Sequence, residues 1–231
     1  MGFSAEDWVA ITLSLKVAAM AVTFSLPAGI AVAWLLARRE FPGKVLLNGL
    51  VHLPLILPPV VTGYLLLVGF GRKGLFGPAL ESVGLVFSFR WTGAALAAAV
   101  MGFPLMVRAI RLSIEAIDRR LEAAAASLGA PPFGVFLTVT LPLSLPGILA
   151  GGILAFAKAL GEFGATITFV SNIPGETQTL AALIYTYTQV PEGDGPAMRL
   201  TLVSILISLG AVALSELLSR RIAGGREALH A

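Results

Sequence analysis

The sequence predicts an all-α integral membrane protein with about five transmembrane helices, and three observations predict it. Hydrophobic residues make up 57% and charged residues 13% of the 231, against about 45–50% and about 25% in a soluble domain. Apolar stretches with almost no charge recur along the chain, several of them reaching the ~18 residues that cross about 30 Å of hydrocarbon as a helix. The basic residues fall in alternating segments between these stretches, which sets an orientation. With a mean hydropathy of +0.89, residues 1–231 are expected to form one membrane domain. Cysteine is absent, which excludes disulfides, thiolate catalysis and Cys-based metal sites. The net charge of +3 is too small to argue for nucleic acid as a partner.

Spans are expected at about 8–36, 45–70, 91–107, 143–163 and 200–218. Met1 to Asp7 carries Glu6 and Asp7 and no basic residue, the wrong charge for a cleavable signal peptide, so the first span is expected to be retained. It is longer than a bilayer needs, and Pro27 and Gly29 are candidate bending points. The second span contains Pro54, Pro58 and Pro59, which remove backbone donors and predict a kinked or broken helix at membrane depth. The third, from Trp91, is rich in Ala and holds Gly93 and Gly102, whose small side chains allow close helix packing. Residues 108–142 form a polar loop, in which Asp118 to Leu128 reads as a helix rich in Ala, Leu and Glu that stops at Gly129, Pro131 and Pro132. The fourth span runs on toward Val170. A loop at 171–199 then carries a candidate short helix over Leu180–Thr188, ahead of the last span.

Five spans put the chain ends on opposite sides. With the N-terminus outside, the inner segments hold ten basic residues: Arg38, Arg39, Lys44, Arg108, Arg111, Arg119, Arg120, Arg220, Arg221 and Arg226. The outer segments hold four, Arg72, Lys73, Arg90 and Arg199. The excess belongs on the cytoplasmic face, which makes 108–142 and the C-terminus cytoplasmic.

Several residues invite a functional reading. Lys158 and Glu162 stand one helical turn apart at the outer end of the fourth span. They read either as an ion pair holding two charges near the membrane, or as part of a gate in which Gly161, Glu162, Phe163 and Gly164 line the pathway and Phe163 plugs it. Thr166, Thr168, Ser171, Asn172, Thr177 and Thr179 offer neutral donors to a passing oxyanion, or pack on a partner. Lys16 is expected to snorkel to the outer face, and His52 to be a hydrogen-bonded interface residue, not a metal ligand. There is no Gly-x-x-x-x-Gly-Lys-Ser/Thr sequence, since Gly43-Lys44 is followed by Val45, so ATP cannot be hydrolysed by that route. No nucleophile–base or metal constellation points to an enzyme, and no cofactor is expected.

Glu122-Ala-Ala-Ala-Ala-Ser-Leu-Gly129-Ala130, followed by Phe133, Phe136 and Val139-Thr140-Leu141-Pro142, resembles the conserved cytoplasmic loop (EAA motif) of permease subunits in ATP-binding-cassette importers. Glu122 stands one residue further from Gly129 than in the strict pattern. The stretch Ala159-Leu-Gly-Glu-Phe-Gly-Ala-Thr-Ile-Thr-Phe-Val-Ser-Asn-Ile-Pro-Gly-Glu-Thr-Gln-Thr179, with Leu53 to Gly63 and Phe103 to Arg111, is similar to the molybdate branch of that family. The resemblance covers Trp8 to Arg221 and implies a type I importer permease fold (MetI-like) whose coupling helix sits in a groove of the nucleotide-binding subunit. By resemblance Ser113–Ala130 takes that coupling role, carried by Arg119, Arg120, Glu122, Ala123, Ala124, Ala125, Gly129 and Ala130, with Leu141 and Pro142 following. The pathway residues implied are Gly161, Glu162, Phe163, Gly164, Thr166 and Asn172.

The implied partners are two ATPase subunits, a periplasmic molybdate-binding protein, a second permease copy forming a homodimer, and membrane lipid. The implied location is the bacterial inner membrane. The alternative substrate is sulfate or thiosulfate, whose permeases usually work as heterodimers. The rival of another class, a secondary transporter, predicts an inverted repeat and paired midplane charges, and neither is found in the sequence.

Overall fold

The computed structural model describes residues 2–227, with the side chains of the last helix described through Leu214 and at Leu217. The tail basic residues Arg220, Arg221 and Arg226 lie outside the described side chains, and His230 lies outside the described residues. Among the described residues the chain is helical, with no strand. Four helices are long and apolar enough to cross a membrane, or five if one sharply bent pair counts as a single span.

The first helix, α1 (Ala5–Arg38), opens on a capping box: Ser4 Oγ accepts from the Asp7 backbone N–H at 3.1 Å, and Asp7 Oδ2 accepts from that of Ser4 at 2.9 Å. Two of its four orphan donors are thereby satisfied. With 34 residues it is about 51 Å long, so it overreaches the bilayer, as expected from its sequence.

The expected second span is two helices, α2 (Lys44–Ile56) and α3 (Pro59–Phe70), which meet at 116°. Consecutive prolines cause the break, because each forces the residue before it out of the α region. Leu57 has ψ 145° and Pro58 ψ 135°. At 13 and 12 residues, each half is about 20 Å or less, too short to cross alone. Pro54 stays inside α2, so not every proline in this stretch acts as a breaker.

After the short α4 (Gly77–Ser82) comes α5 (Trp91–Glu115), which runs eight residues past the expected end at Val107. Sequence reading stops this span at its first arginine. The helix continues because Met106, Val107, Ile110 and Ile114, all buried, keep an apolar face at three- and four-residue spacing beyond it. Consequently Ser113 to Glu115 belong to α5, and the loop expected at 108–142 narrows to residues 116–131. There, α6 (Arg119–Ser127) and α7 (Pro132–Val135) lead through a wide π turn, Phe136–Thr140, into α8 (Leu141–Leu160). The fourth span therefore starts eleven residues before Leu143, at Pro132. Beyond it lie α9 (Gly164–Val170), α10 (Leu180–Thr188) and α11 (Asp194–Glu227). The short helix expected at Leu180–Thr188 is present with those bounds.

At the centre α5 packs along α1 and α8. Its contact with α8 uses a small-residue stripe with a four-residue period, Gly147, Gly151, Ala155 and Ala159. A Cβ on Gly151 would stand 2.9 Å from the Met106 carbonyl oxygen, and one on Gly147 2.2 Å from Ser113 Cβ. Two backbones approach this closely only where side chains are absent or reduced to a methyl. One core cluster, around Val17, Ala97, Met101 and Phe169, fills the half remote from α6, and a second, around Leu36, Met106, Ile110 and Ile148, fills the half near it. A third joins the start of α1 to α10 and α11 through Ile11, Leu183 and Leu200. Tyr187 reinforces that junction by donating its hydroxyl to Asp7 at 2.9 Å, and burial pushes its phenol above the ordinary tyrosine value.

Candidate coupling segment and pathway break

Asp118 starts α6 by accepting the Arg120 backbone N–H at 2.9 Å. At the other end Gly129 takes a left-handed φ of 89°. Its N–H bonds the Ala126 carbonyl at 3.0 Å, while that of Ala130 bonds the Ala125 carbonyl at 3.2 Å. This is a Schellman closure, and a Cβ on Gly129 would meet nothing within 4 Å. Gly129 is therefore required by backbone conformation and not by space. No residue of α6 is buried. Arg120, Leu121, Ala123 and Ala124 face outward, and just beyond the helix Leu128 and Phe133 are 89% and 70% exposed.

What holds this exposed helix is Glu122. Its carboxylate accepts from Arg38 Nε of α1, at 3.0 Å to Oε2 and 3.1 Å to Oε1, and from Thr140 Oγ1 at 2.6 Å. Arg38 also donates through Nη2 to the Ile117 carbonyl at 3.2 Å. The Arg38 and Glu122 side chains are only 8% and 18% exposed. The resemblance implies that Arg119, Arg120 and Glu122 all carry the coupling to a partner. In the fold Glu122 instead faces inward to Arg38, while Arg119 and Arg120 have no carboxylate partner within 4 Å among the described residues. Thr140 reaches Glu122 from the last position of the π turn. Such a turn adds a residue and rotates the helix beyond it by about 100° relative to an uninterrupted helix. Leu141, next along, packs on the core cluster around Leu36, Met106 and Ile110, and Pro142 lies in the first turn of α8.

The pathway candidates gather where α8 breaks. Glu162, whose side chain is 2% exposed, accepts Lys158 Nζ at 2.8 Å and the Ala165 backbone N–H at 3.0 Å. The ion-pair reading of Lys158 and Glu162 is thus realised, and the same carboxylate ties α8 to α9. Phe163 packs against Tyr185 of α10, with ring centroids 4.9 Å apart and the planes tilted by 40°. Gly164 abuts the other break: a Cβ there would lie 2.8 Å from Pro59 Cβ. Thr166 is buried. Asn172 donates to Thr186 Oγ1 at 2.9 Å, while its Oδ1 is buried without a partner. The two interrupted segments interlock, since a Cβ on Gly63 of α3 would stand 2.5 Å from the Ala165 carbonyl oxygen. Thr62, beside it, is buried with an unpartnered hydroxyl. Sequence reading missed Arg38, Thr140, Thr62 and Gly63. Clues were available for Thr62 and Gly63, which lie in the proline-broken stretch, and for Thr140, which stands in the motif before Leu141-Pro142, but not for Arg38.

Lys16 lies with Nζ 3.6 Å from the Trp91 ring centroid, a cation–π contact. His52 Nδ1 is 2.9 Å from the Asn48 carbonyl oxygen one turn back, in keeping with a hydrogen-bonded role.

Residues 25–224 match the family model described as "Binding-protein-dependent transport system inner membrane component". The chain is 59% identical over 215 residues to the "Molybdenum transport system permease protein ModB" of Escherichia coli K12, covering 93% of this chain and 94% of that one. It is 58% identical to the Haemophilus influenzae protein of the same description, covering 92% and 93%. Among solved structures, the bacterial alginate ABC transporter in complex with an alginate pentasaccharide-bound periplasmic protein contains a similar chain. It has a TM-score of 0.75 at 18% identity and covers 95% of this chain and 80% of that one, a likeness of fold.

Proposed function

We propose a transport mechanism from one premise: this chain belongs to the family of binding-protein-dependent transport system inner membrane components. It is a multi-pass inner-membrane permease of the type I importer fold, and its substrate is molybdate, as for the relatives matched at 59% and 58% identity. That identity favours molybdate over sulfate or thiosulfate, and the family leaves no role for a self-contained secondary transporter. In the proposed assembly two copies enclose the pathway around a two-fold axis, two ATPase subunits sit below and a periplasmic molybdate-binding protein docks above. The N-terminus is outside and the C-terminus cytoplasmic, following the basic residues.

The observation that carries the coupling reading is the Glu122 joint. An exposed helix meant to receive a push must not swing freely, and α6 is bonded through one carboxylate to α1 and to the turn entering α8. Closure of the ATPase subunits on Arg120, Leu121, Ala123, Ala124 and Leu128 therefore displaces α1 and α8 together. The stiff Pro131-Pro132 exit adds little slack, and the small-residue contact passes the motion to α5. At the far end of α8 the break at Gly161–Gly164 lies against the break in α2–α3, so the displacement reaches the segments proposed to line the path.

The test is reconstitution of the permease with its ATPase and binding protein in vesicles. Wild type is expected to take up molybdate only with ATP. Glu122→Ala is expected to abolish uptake while ATPase subunits still hydrolyse ATP, and unchanged uptake by this variant overturns the coupling role.

A further inference from the structure

Two cavities beside α6 share a wall. The larger, about 580 Å³, is apolar and lies between α1, at Pro27, Ile30 and Ala31, and the chain entering α8, at Phe133. The smaller, about 330 Å³, is lined by Arg38, Arg39, Arg119 and Glu122. Trp34, Pro132 and Phe136 line both. Trp34 meets Phe136 edge-on with ring centroids 5.9 Å apart, and the Arg39 guanidinium carbon lies 5.4 Å from the Trp34 ring centroid. The charge in the smaller cavity is unbalanced. Arg38 is committed to Glu122, and the adjacent carboxylate of Glu40 pairs with Lys44 at 2.7 Å. Arg39 and Arg119 have no carboxylate partner within 4 Å among the described residues.

We propose that this composite groove binds one anionic phospholipid, its phosphate on Arg39 and Arg119 and an acyl chain running past Trp34 and Phe136 into the apolar cavity. Each half of the groove suits one half of that molecule. Guanidinium groups match phosphate oxygens, basic recesses at a membrane surface select anionic headgroups, and tryptophan favours the interfacial layer between them. An acidic segment of a protein partner would satisfy the arginines and leave the apolar cavity empty. Seated there, the lipid braces α1 against the turn carrying Thr140, on either side of the Glu122 joint. The inference needs the membrane setting of the family but not the identity of the transported anion.

The purified permease–ATPase complex, incubated with phosphatidylglycerol or phosphatidylcholine and read by native mass spectrometry, tests it without any transport step. Wild type is expected to retain one phosphatidylglycerol per permease chain in preference to phosphatidylcholine. Arg39→Gln with Arg119→Gln is expected to lower that retention by roughly tenfold or more. Ala31→Trp, which fills the apolar cavity and leaves both charges, is expected to lower it as strongly. Equal retention of the two lipids by wild type overturns the proposal. So does unchanged phosphatidylglycerol retention in Ala31→Trp, which would show that the apolar cavity does not hold the acyl chain.

Discussion

Two glutamates, one at each end of α8, do the same mechanical work by opposite means. Glu122 joins α6 to residues 84 and 18 positions away in sequence. Glu162 takes its cation four residues back and its backbone donor three residues on. Each carboxylate is shared between a cationic side chain and a second donor and so is well compensated for its burial. The difference is in what each joint holds: the whole of α6 in one case, the angle between α8 and α9 in the other. A long-range joint couples distant elements, whereas a local one fixes only the angle between neighbours.

The contrast can be tested by substitution. Glu122→Ala leaves Arg38 charged, largely buried and without its carboxylate, so a loss of about 3 kcal/mol is expected, read as a lower unfolding midpoint of the purified complex along with loss of uptake. Glu162→Ala should cost about 2 kcal/mol, because the unsatisfied Ala165 N–H is local and Lys158, 31% exposed, can reach polar surroundings. ATP hydrolysis with uptake uncoupled is its expected signature. If Glu162→Ala destabilises more than Glu122→Ala, the long-range joint is not the stronger one. Gly151→Ala is expected to cost about 1–2 kcal/mol through crowding of the Met106 carbonyl, lowering stability and, because the same contact is proposed to pass the motion to α5, reducing uptake in proportion. Gly129→Ala is the mildest, at about 1 kcal/mol for a left-handed φ on an alanine, and the open space around it predicts near-normal uptake once the complex is assembled.

These joints also separate what is readable in the sequence from what is not. Lys158 and Glu162 are paired by helical spacing alone, so their ion pair is legible before any fold is known. Arg38 and Glu122 carry no such mark: the charge excess puts both near the same membrane face but cannot say that they touch. The end of α5 is misread from sequence because its first arginine outweighs an apolar face that continues to Ile114. The second span is rightly expected to break, yet its 116° bend comes from two adjacent prolines whose combined effect the composition does not measure.

By itself, then, the sequence determined the membrane class, the helix α6 with its Asp118 start and Gly129 stop, and the branch of the family. These depend on hydropathy, helix propensity and short-range spacing, which are written into neighbouring residues. The tertiary structure alone decided that Glu122 faces inward to Arg38 and Thr140, that the π turn brings Thr140 to it, that α3 interlocks with α9, and that α8 meets α5 through Gly147, Gly151, Ala155 and Ala159. Each is a contact between segments far apart in the chain, and such contacts are chosen by how whole helices pack, not by any local preference.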